Sequence, residues 1–380
     1  MNARLKGAKR LVVKIGSALL VDNETGNIRD GWLDALASDI SWCRKNGQEI
    51  LVVSSGSIAL GRHQLGLSTD RNLRLEESQA AAAAGQIRLA HAYQQILAKY
   101  DLSVAQILLT LDDTEDRRRH LNARSTLNQL LQLGVIPVIN ENDTVATNEI
   151  RFGDNDRLGA RVAAMISADC LLLLSDIDGL YEEDPRINPN AKHIAEVAEV
   201  TADIEAMATS APVGYSSGGM VTKLDAAKIA MASGCHMAIT DGKANRPLKA
   251  LGDGANATWF TAKASPLTAR KRWIAGVVNP TGKIIVDTGA AKALLDGKSL
   301  LPAGITRIEG DFLRGDAVRV LSRSGNEIAR GLTAYAAKDA LKIKGHKSSE
   351  IEAILGYRGR DEMIHRDNLV LTKVKRVRIH

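Results

Sequence analysis

Two short polar clusters mark where this chain can do chemistry. Asn140-Glu141-Asn142-Asp143 follows the apolar run Val135–Ile139, and Asp154-Asn155-Asp156 comes soon after. The run has the composition of a buried strand, and ligands of open α/β sheets bind beyond the carboxyl ends of their strands. Amides placed there grip both ends of a small zwitterion, while carboxylates hold an ammonium or orient lysines. Taken singly, each cluster also reads as an Asx-rich turn. The recurrence of polar strand ends along the chain favours a pocket.

Two lysines are as unusual as the clusters. Lys14 interrupts the apolar run Arg10–Ile15, two residues before Gly16-Ser17. Lys223 falls in the first turn of a predicted helix, where a cation opposes the helix dipole. That helix is opened by Ser216-Ser217-Gly218-Gly219-Met220-Val221-Thr222. Such a start offers backbone amides, hydroxyls and a lysine to a phosphate. It is not a Walker A loop: Gly214 and Gly219 have the right spacing, but Met220 stands where the lysine is required. Each lysine alone is compatible with a snorkelling surface side chain. Together they suit a polyphosphate, because phosphoryl transfer needs positive charge on the moving group and the leaving oxygen.

The elements that must position these groups alternate strand and helix. Predicted strands are Arg10–Ile15, Glu49–Ser54, Val104–Thr110, Val135–Ile139, Cys170–Leu174, His236–Thr240 and Ala257–Phe260. Predicted helices include one capped by Asp30, an Ala-rich one over Leu75–Tyr100, and others over Leu121–Leu133, Arg157–Ser167 and Val221–Ser233. Repeated βα units argue for an α/β fold, a three-layer αβα sandwich around a mostly parallel sheet. In such a sheet Lys14-Ile15-Gly16-Ser17, Ser54-Ser55-Gly56-Ser57, the Asn140 cluster and Ser175-Asp176 share one edge. The charge run Asp112–His120 is expected to be a solvated loop.

At 380 residues the chain has room for two or three domains. Its 45% hydrophobic and 25% charged content is ordinary for a water-soluble globular protein. No run is apolar enough for a membrane span, and Met1–Arg10 has no apolar core of a signal peptide. Cys43, Cys170 and Cys235 are widely spaced and suit no metal, so a reduced, cytoplasmic protein is expected. The net charge of +6 is uneven. From Arg270 onward there are 22 Lys and Arg against 12 Asp and Glu, whereas residues 1–269 hold 28 against 32. Short β runs at Lys283–Val286, Ile305–Glu309, Ala317–Leu321 and Ile328–Leu332 suggest a small β-barrel-like module in the basic part.

The segments VVKIGSALL, VVSSGSIALGR, VINENDTVA, FGDNDRLGA, LLLLSDIDGLYEEDPR and SSGGMVTKLDAA, in this order, resemble the motif series of the glutamate 5-kinase family, within the amino acid kinase superfamily. The C-terminal TGKIIVD, SLLPAGI, GDFLRGDAVRV, ARGLTAY and EIEAILGY resemble a PUA domain. The resemblance implies a catalytic domain over 1–265, a linker over 266–280, a PUA domain over 281–370 and a basic tail over 371–380.

By the same resemblance, ATP with Mg²⁺ phosphorylates the γ-carboxylate of L-glutamate, the first step of proline biosynthesis, with proline as feedback inhibitor. Lys14, Lys223 and Asp156 would be catalytic, with Asp156 organising the lysines. Ser55, Asn140, Asp143, Asp154 and Asn155 would bind glutamate. Lys14, Gly16, Ser17, Ser175, Asp176 and Ser217 through Lys223 (Ser217, Gly218, Gly219, Met220, Val221, Thr222, Lys223) would line the nucleotide site. Mg²⁺ would be held by phosphates and water, with no protein metal site. Relatives imply a homodimer or homotetramer. RNA is the rival ligand, through the basic domain, although the scarcity of aromatics argues against stacking on single strands.

Overall fold

The computed structural model describes residues 3–22, 24–68, 70–145, 155–209, 219–276 and 280–372. The chain divides into two compact units, Met1–Pro266 and Leu267–His380.

The first unit is built on an eight-stranded sheet. Its strands are β1 (Arg10–Ile15), β2 (Glu49–Ser54), β3 (Val104–Leu109), β4 (Ile136–Glu141), β5 (Cys170–Ser175), β8 (Glu196–Val197), β9 (His236–Asp241) and β10 (Ala257–Phe260). A two-stranded ribbon, β6 (Leu180–Tyr181) and β7 (His193–Ile194), lies outside it. The spatial order is β3-β4-β2-β1-β5-β9-β10-β8, parallel from β3 to β9, with β10 antiparallel to β9. Parallel pairing aligns the carboxyl ends of β1, β2, β4, β5 and β9 along one edge.

Both faces of the sheet are covered, so its central strands are buried on both sides, as parallel sheets require. Alternation along β1 divides the core. Leu11, Val13 and Ile15 join the cluster beneath helices Asp30–Lys45 and Leu75–Ala98, while Val12 joins the cluster beneath helices Asn155–Ile166 and Met220–Ala232. Lys14 has the parity of Val12. Its stem therefore runs under helix Asn155–Ile166, where a Cβ added to Gly159 would lie 3.5 Å from Lys14 Cβ.

Two expectations need correction. Asp30 is the first residue of its helix, with Arg29 as the cap. The charge run is not a loop. Thr110 and Asp113 form a reciprocal capping box that opens helix Leu111–Glu115, and Asp116 accepts from Arg119 N at 2.8 Å to open helix Arg117–Gln132. Those carboxylates cap helix starts, and charge density alone concealed it.

The second unit has a five-stranded sheet and its own core. Strands β11 (Gly282–Val286), β12 (Ile305–Glu309), β13 (Ala317–Leu321), β14 (Glu327–Leu332) and β15 (Leu369–Leu371) lie in the order β12-β11-β13-β14-β15. Only β11 and β13 are parallel neighbours. The stretch expected as a linker contains helix Pro266–Ala275, whose Ile274 is buried with Ala317 and Leu332.

In the first unit, helices Ser57–Gln64 and Leu75–Ala98 approach closely through glycines. A Cβ on Gly61 would lie 1.7 Å from Ala81 O, and one on Gly85 would lie 1.9 Å from Ser57 O. These contacts are with backbone, so no side chain can move aside. Gly85→Ala is expected to cost on the order of 1–3 kcal/mol through overpacking, read as a lowered urea midpoint. An unchanged midpoint would show that the two helices are not held by this contact.

Candidate active site

The carboxyl edge of the sheet gathers two polar groups, joined by the consecutive residues Asn155 and Asp156 at the start of helix Asn155–Ile166.

The first group is a buried ion triad. Lys14 Nζ lies 2.6 Å from Asp156 Oδ1, and Lys223 Nζ lies 3.2 Å from Asp156 Oδ2. Lys14, Asp156 and Lys223 are 8%, 2% and 7% exposed. Lys14 comes from β1, and Asp156 and Lys223 from two helices that pack on one another over that face. Burial works to raise the Asp156 pKa, but Lys14 and Lys223 outweigh it and hold the carboxyl below its ordinary value. Two ammoniums on one carboxylate leave an excess positive charge, which suits an anion. The Thr222 hydroxyl lies 3.2 Å from Asp156 Oδ2 and 2.9 Å from Gly219 O.

The second group is a chain of amides and hydroxyls between β2, β4 and the helices. Asn155 Nδ2 donates to Ser55 Oγ at 2.7 Å, and to Ser54 O and Asn140 Oδ1 at 3.2 Å. Asn140 Nδ2 donates to Gln86 Oε1 at 2.8 Å and to Ser57 Oγ at 3.2 Å. Ser57 in turn donates to Asp143 Oδ2 at 3.2 Å. Tyr93, fully buried, donates to Ser54 Oγ at 2.9 Å. Two acceptors in this chain stand out. Asn155 Oδ1 is buried without a hydrogen-bond partner among the described residues. Asp143 is pushed up to about 6 by burial, with the Ser57 hydrogen bond opposing the shift. A buried carboxylate beside a buried carbonyl oxygen that has no donor among the described residues suits an incoming ammonium.

The remaining expected residues that are described lie at the same edge. Gly16 precedes the short helix Ser17–Leu20, and Ser17 is exposed. Ser175 ends β5, and its hydroxyl donates to Asp176 Oδ1 at 3.2 Å. Gly242 N, following β9, donates to Ser175 O at 2.7 Å. Lys243 Nζ donates to Asp176 O at 3.2 Å. Gly219, Met220, Val221 and Thr222 start helix Met220–Ala232, with the Val221 side chain largely exposed. Asp154, Ser217 and Gly218 lie outside the described residues. Sequence reasoning missed Ser57, Gln86, Tyr93 and Ser54 as parts of the network. Ser54 and Ser57 were visible in the polar end of β2, but only the close helix packing reveals Gln86.

The amino acid kinase family model matches residues 9–241, and the PUA domain model matches residues 282–355. A glutamate 5-kinase of Paramagnetospirillum magneticum is 62% identical over 97% of this chain and 99% of its own length. One from Agrobacterium fabrum is 59% identical over 96% of this chain and 93% of its own. Among solved structures, carbamate kinase from Giardia lamblia bound to AMP-PNP is 16% identical, with a TM-score of 0.48 over 68% of this chain and all of that one.

The triad predicts a specific pattern of stability. Asp156→Asn leaves two buried ammoniums without their shared anion and should cost about 3–5 kcal/mol. Adding Lys14→Met should recover much of that loss, because one buried charge is removed with its partner gone. Urea denaturation of the single and double variants reads this directly. A double variant no more stable than the single would contradict the shared-anion account.

Proposed function

The chain belongs to the amino acid kinase family, and from that membership and its glutamate 5-kinase relatives we infer that it transfers the γ-phosphoryl group of ATP to the γ-carboxylate of L-glutamate. The observation that carries the mechanism is the buried triad of Lys14, Asp156 and Lys223. A carboxylate oxygen of glutamate attacks the γ-phosphorus, and the bond to the β,γ-bridging oxygen breaks. The products are glutamyl 5-phosphate and ADP. The acceptor has an ordinary pKa of about 4.3, so it is already an anion at neutral pH and needs no general base. What the reaction requires is in-line placement and neutralisation of charge. Lys14 and Lys223 provide that neutralisation, and Asp156 keeps the two ammoniums apart and aimed.

At the other end, Asp143 and Asn155 Oδ1 receive the α-ammonium of glutamate, with Ser55 beside them. Gly16, Ser17, Ser175, Asp176 and the segment from Gly219 to Thr222 border the nucleotide. Both Asp156 oxygens are engaged by lysines, and among the described residues no three His, Cys, Asp or Glu side chains converge as metal ligands. Mg²⁺ would enter with the nucleotide phosphates and add charge neutralisation there. The resemblance extends the reading to the first step of proline biosynthesis, proline as inhibitor, a homo-oligomer and a cytoplasmic setting. No described helix is long and apolar enough to cross a membrane.

Two experiments test this reading. Incubation with Mg-ATP, glutamate and hydroxylamine should yield ADP and the γ-hydroxamate. In Lys223→Met, turnover should fall at least ~10²-fold, the scale of losing one transition-state charge contact, with the glutamate KM little changed. Near wild-type turnover in that variant would remove Lys223 from the mechanism.

The pH dependence follows from Asp143. Its folded pKa is raised to about 6 in the unliganded protein, so it loses its charge as pH falls through that value. The KM for glutamate should be flat well above pH 6 and rise below it, approaching tenfold per pH unit. Asp143→Asn should raise the KM at neutral pH and abolish the inflection. Persistence of the inflection in that variant would assign it to another group.

A further inference from the structure

The hydrogen bonds of the second polar group have a direction set by chemistry. Asp143, when ionised, only accepts, so the proton between it and Ser57 belongs to Ser57. The Ser57 oxygen is then an acceptor for Asn140, which must present its nitrogen. The backbone N–H of Glu141, 2.9 Å from Asn140 Oδ1, requires the same orientation independently. With its oxygen turned that way, Asn140 accepts Nδ2 of Asn155. Asn155 Oδ1 is thereby left as the oxygen of this network without a partner among the described residues.

A side-chain amide has two donors and room for two acceptor contacts. Asn140 has all four in use, with Gln86 Oε1 and Ser57 Oγ on its nitrogen and Glu141 N and Asn155 Nδ2 on its oxygen. It is 2% exposed. Asn140 therefore has no free polar contact for a substrate, although its sequence context marked it as a substrate ligand.

We propose that Gln86 is a positioning residue for glutamate: by accepting the second N–H of Asn140 it locks the orientation that Ser57 and Glu141 select, the one that turns Asn155 Oδ1 toward the substrate's ammonium. Asn140 is the hub of this relay. The 2.8 Å contact from Gln86 is the shorter of the two acceptor contacts on its nitrogen. Gln86 follows Gly85, whose missing side chain lets helix Leu75–Ala98 pass against the Ser57 carbonyl. One close helix crossing thus delivers both acceptors to one amide. This role rests on the assignment of Asn155 Oδ1 to the ammonium made above.

The test compares Gln86→Met, which keeps length but removes the acceptor, with Gln86→Glu, whose carboxylate still accepts. In Gln86→Met the glutamate KM should rise about five- to tenfold, the scale of one hydrogen bond within a buried network. The ATP KM and kcat should stay within about twofold, because the contact acts on ground-state binding of one substrate. Gln86→Glu should restore most of the glutamate KM. Should Gln86→Met fail to fold, Gln86→Ala is read in the same way.

An unchanged glutamate KM in the acceptor-free variant would overturn the proposal. So would a Gln86→Glu variant as impaired as Gln86→Met, or an equal rise in the KM for ATP, since a merely structural role predicts those results. The wild-type protein run alongside separates the two levels of inference. Absence of glutamate-dependent ADP release in wild type defeats the kinase reading itself. Normal wild-type turnover with an indifferent Gln86→Met defeats only the relay.

Discussion

The carboxylate of Asp156, placed between the ammoniums of Lys14 and Lys223, is the constraint on which the site depends. Two cations buried side by side repel one another and have lost their water. One shared anion makes the pairing tenable and also fixes the spacing. Three elements meet there. Strand β1 brings Lys14 up from the core by strand parity, and the helices starting at Asn155 and Met220 bring the other two. Gly159, one turn into the first helix, lies over the Lys14 stem, where an added Cβ would sit at an ordinary van der Waals distance of 3.5 Å from Lys14 Cβ. The site is therefore a consequence of packing on one face of the sheet.

The other polar group depends on a different geometry. Ser57 and Gln86 belong to two helices that meet at Gly61 and Gly85, so close that no side chain fits between their backbones. This approach turns two ordinary polar residues into acceptors for the same amide. A fully satisfied buried network specifies one arrangement, because any rotation of Asn140 would leave several groups unpaired at about 1–3 kcal/mol each. The exception is Asn155 Oδ1, which has no partner among the described residues and which the proposed binding mode gives to the substrate.

The legible part of this architecture was the part written in local pattern. Apolar runs ending in Gly, Ser, Asn and Asp marked the strands and the edge they share. Lys14 and Lys223 announced themselves by standing where a cation is unfavourable. The pairing of both with one aspartate was an expectation from motif resemblance, and it is the packing of two helices over β1 that brings the three together. The charge run from Asp112 to His120 misled, because an N-cap looks like any other acidic residue until its helix is known. Gln86 could not be seen at all. It lies in an Ala-rich helix far along the chain from Asn140, and only tertiary contact gives it a partner.

The two groups have opposite electrical characters, and that opposition orients the acceptor. The triad carries one positive charge in excess. Asp143, ionised at neutral pH, carries a negative charge that burial makes costly and that no cation among the described residues relieves. In the proposed binding mode, a glutamate that enters with its ammonium toward Asp143 would relieve that cost and send its γ-carboxylate toward the lysines. The reverse entry would set ammonium against ammonium and carboxylate against carboxylate in a poorly solvated space, where such interactions are stronger than in water. Asn155 and Asp156 are neighbours in sequence, yet each serves a different pole. Both stand at the start of one helix, so a displacement there would disturb the two polar groups at once.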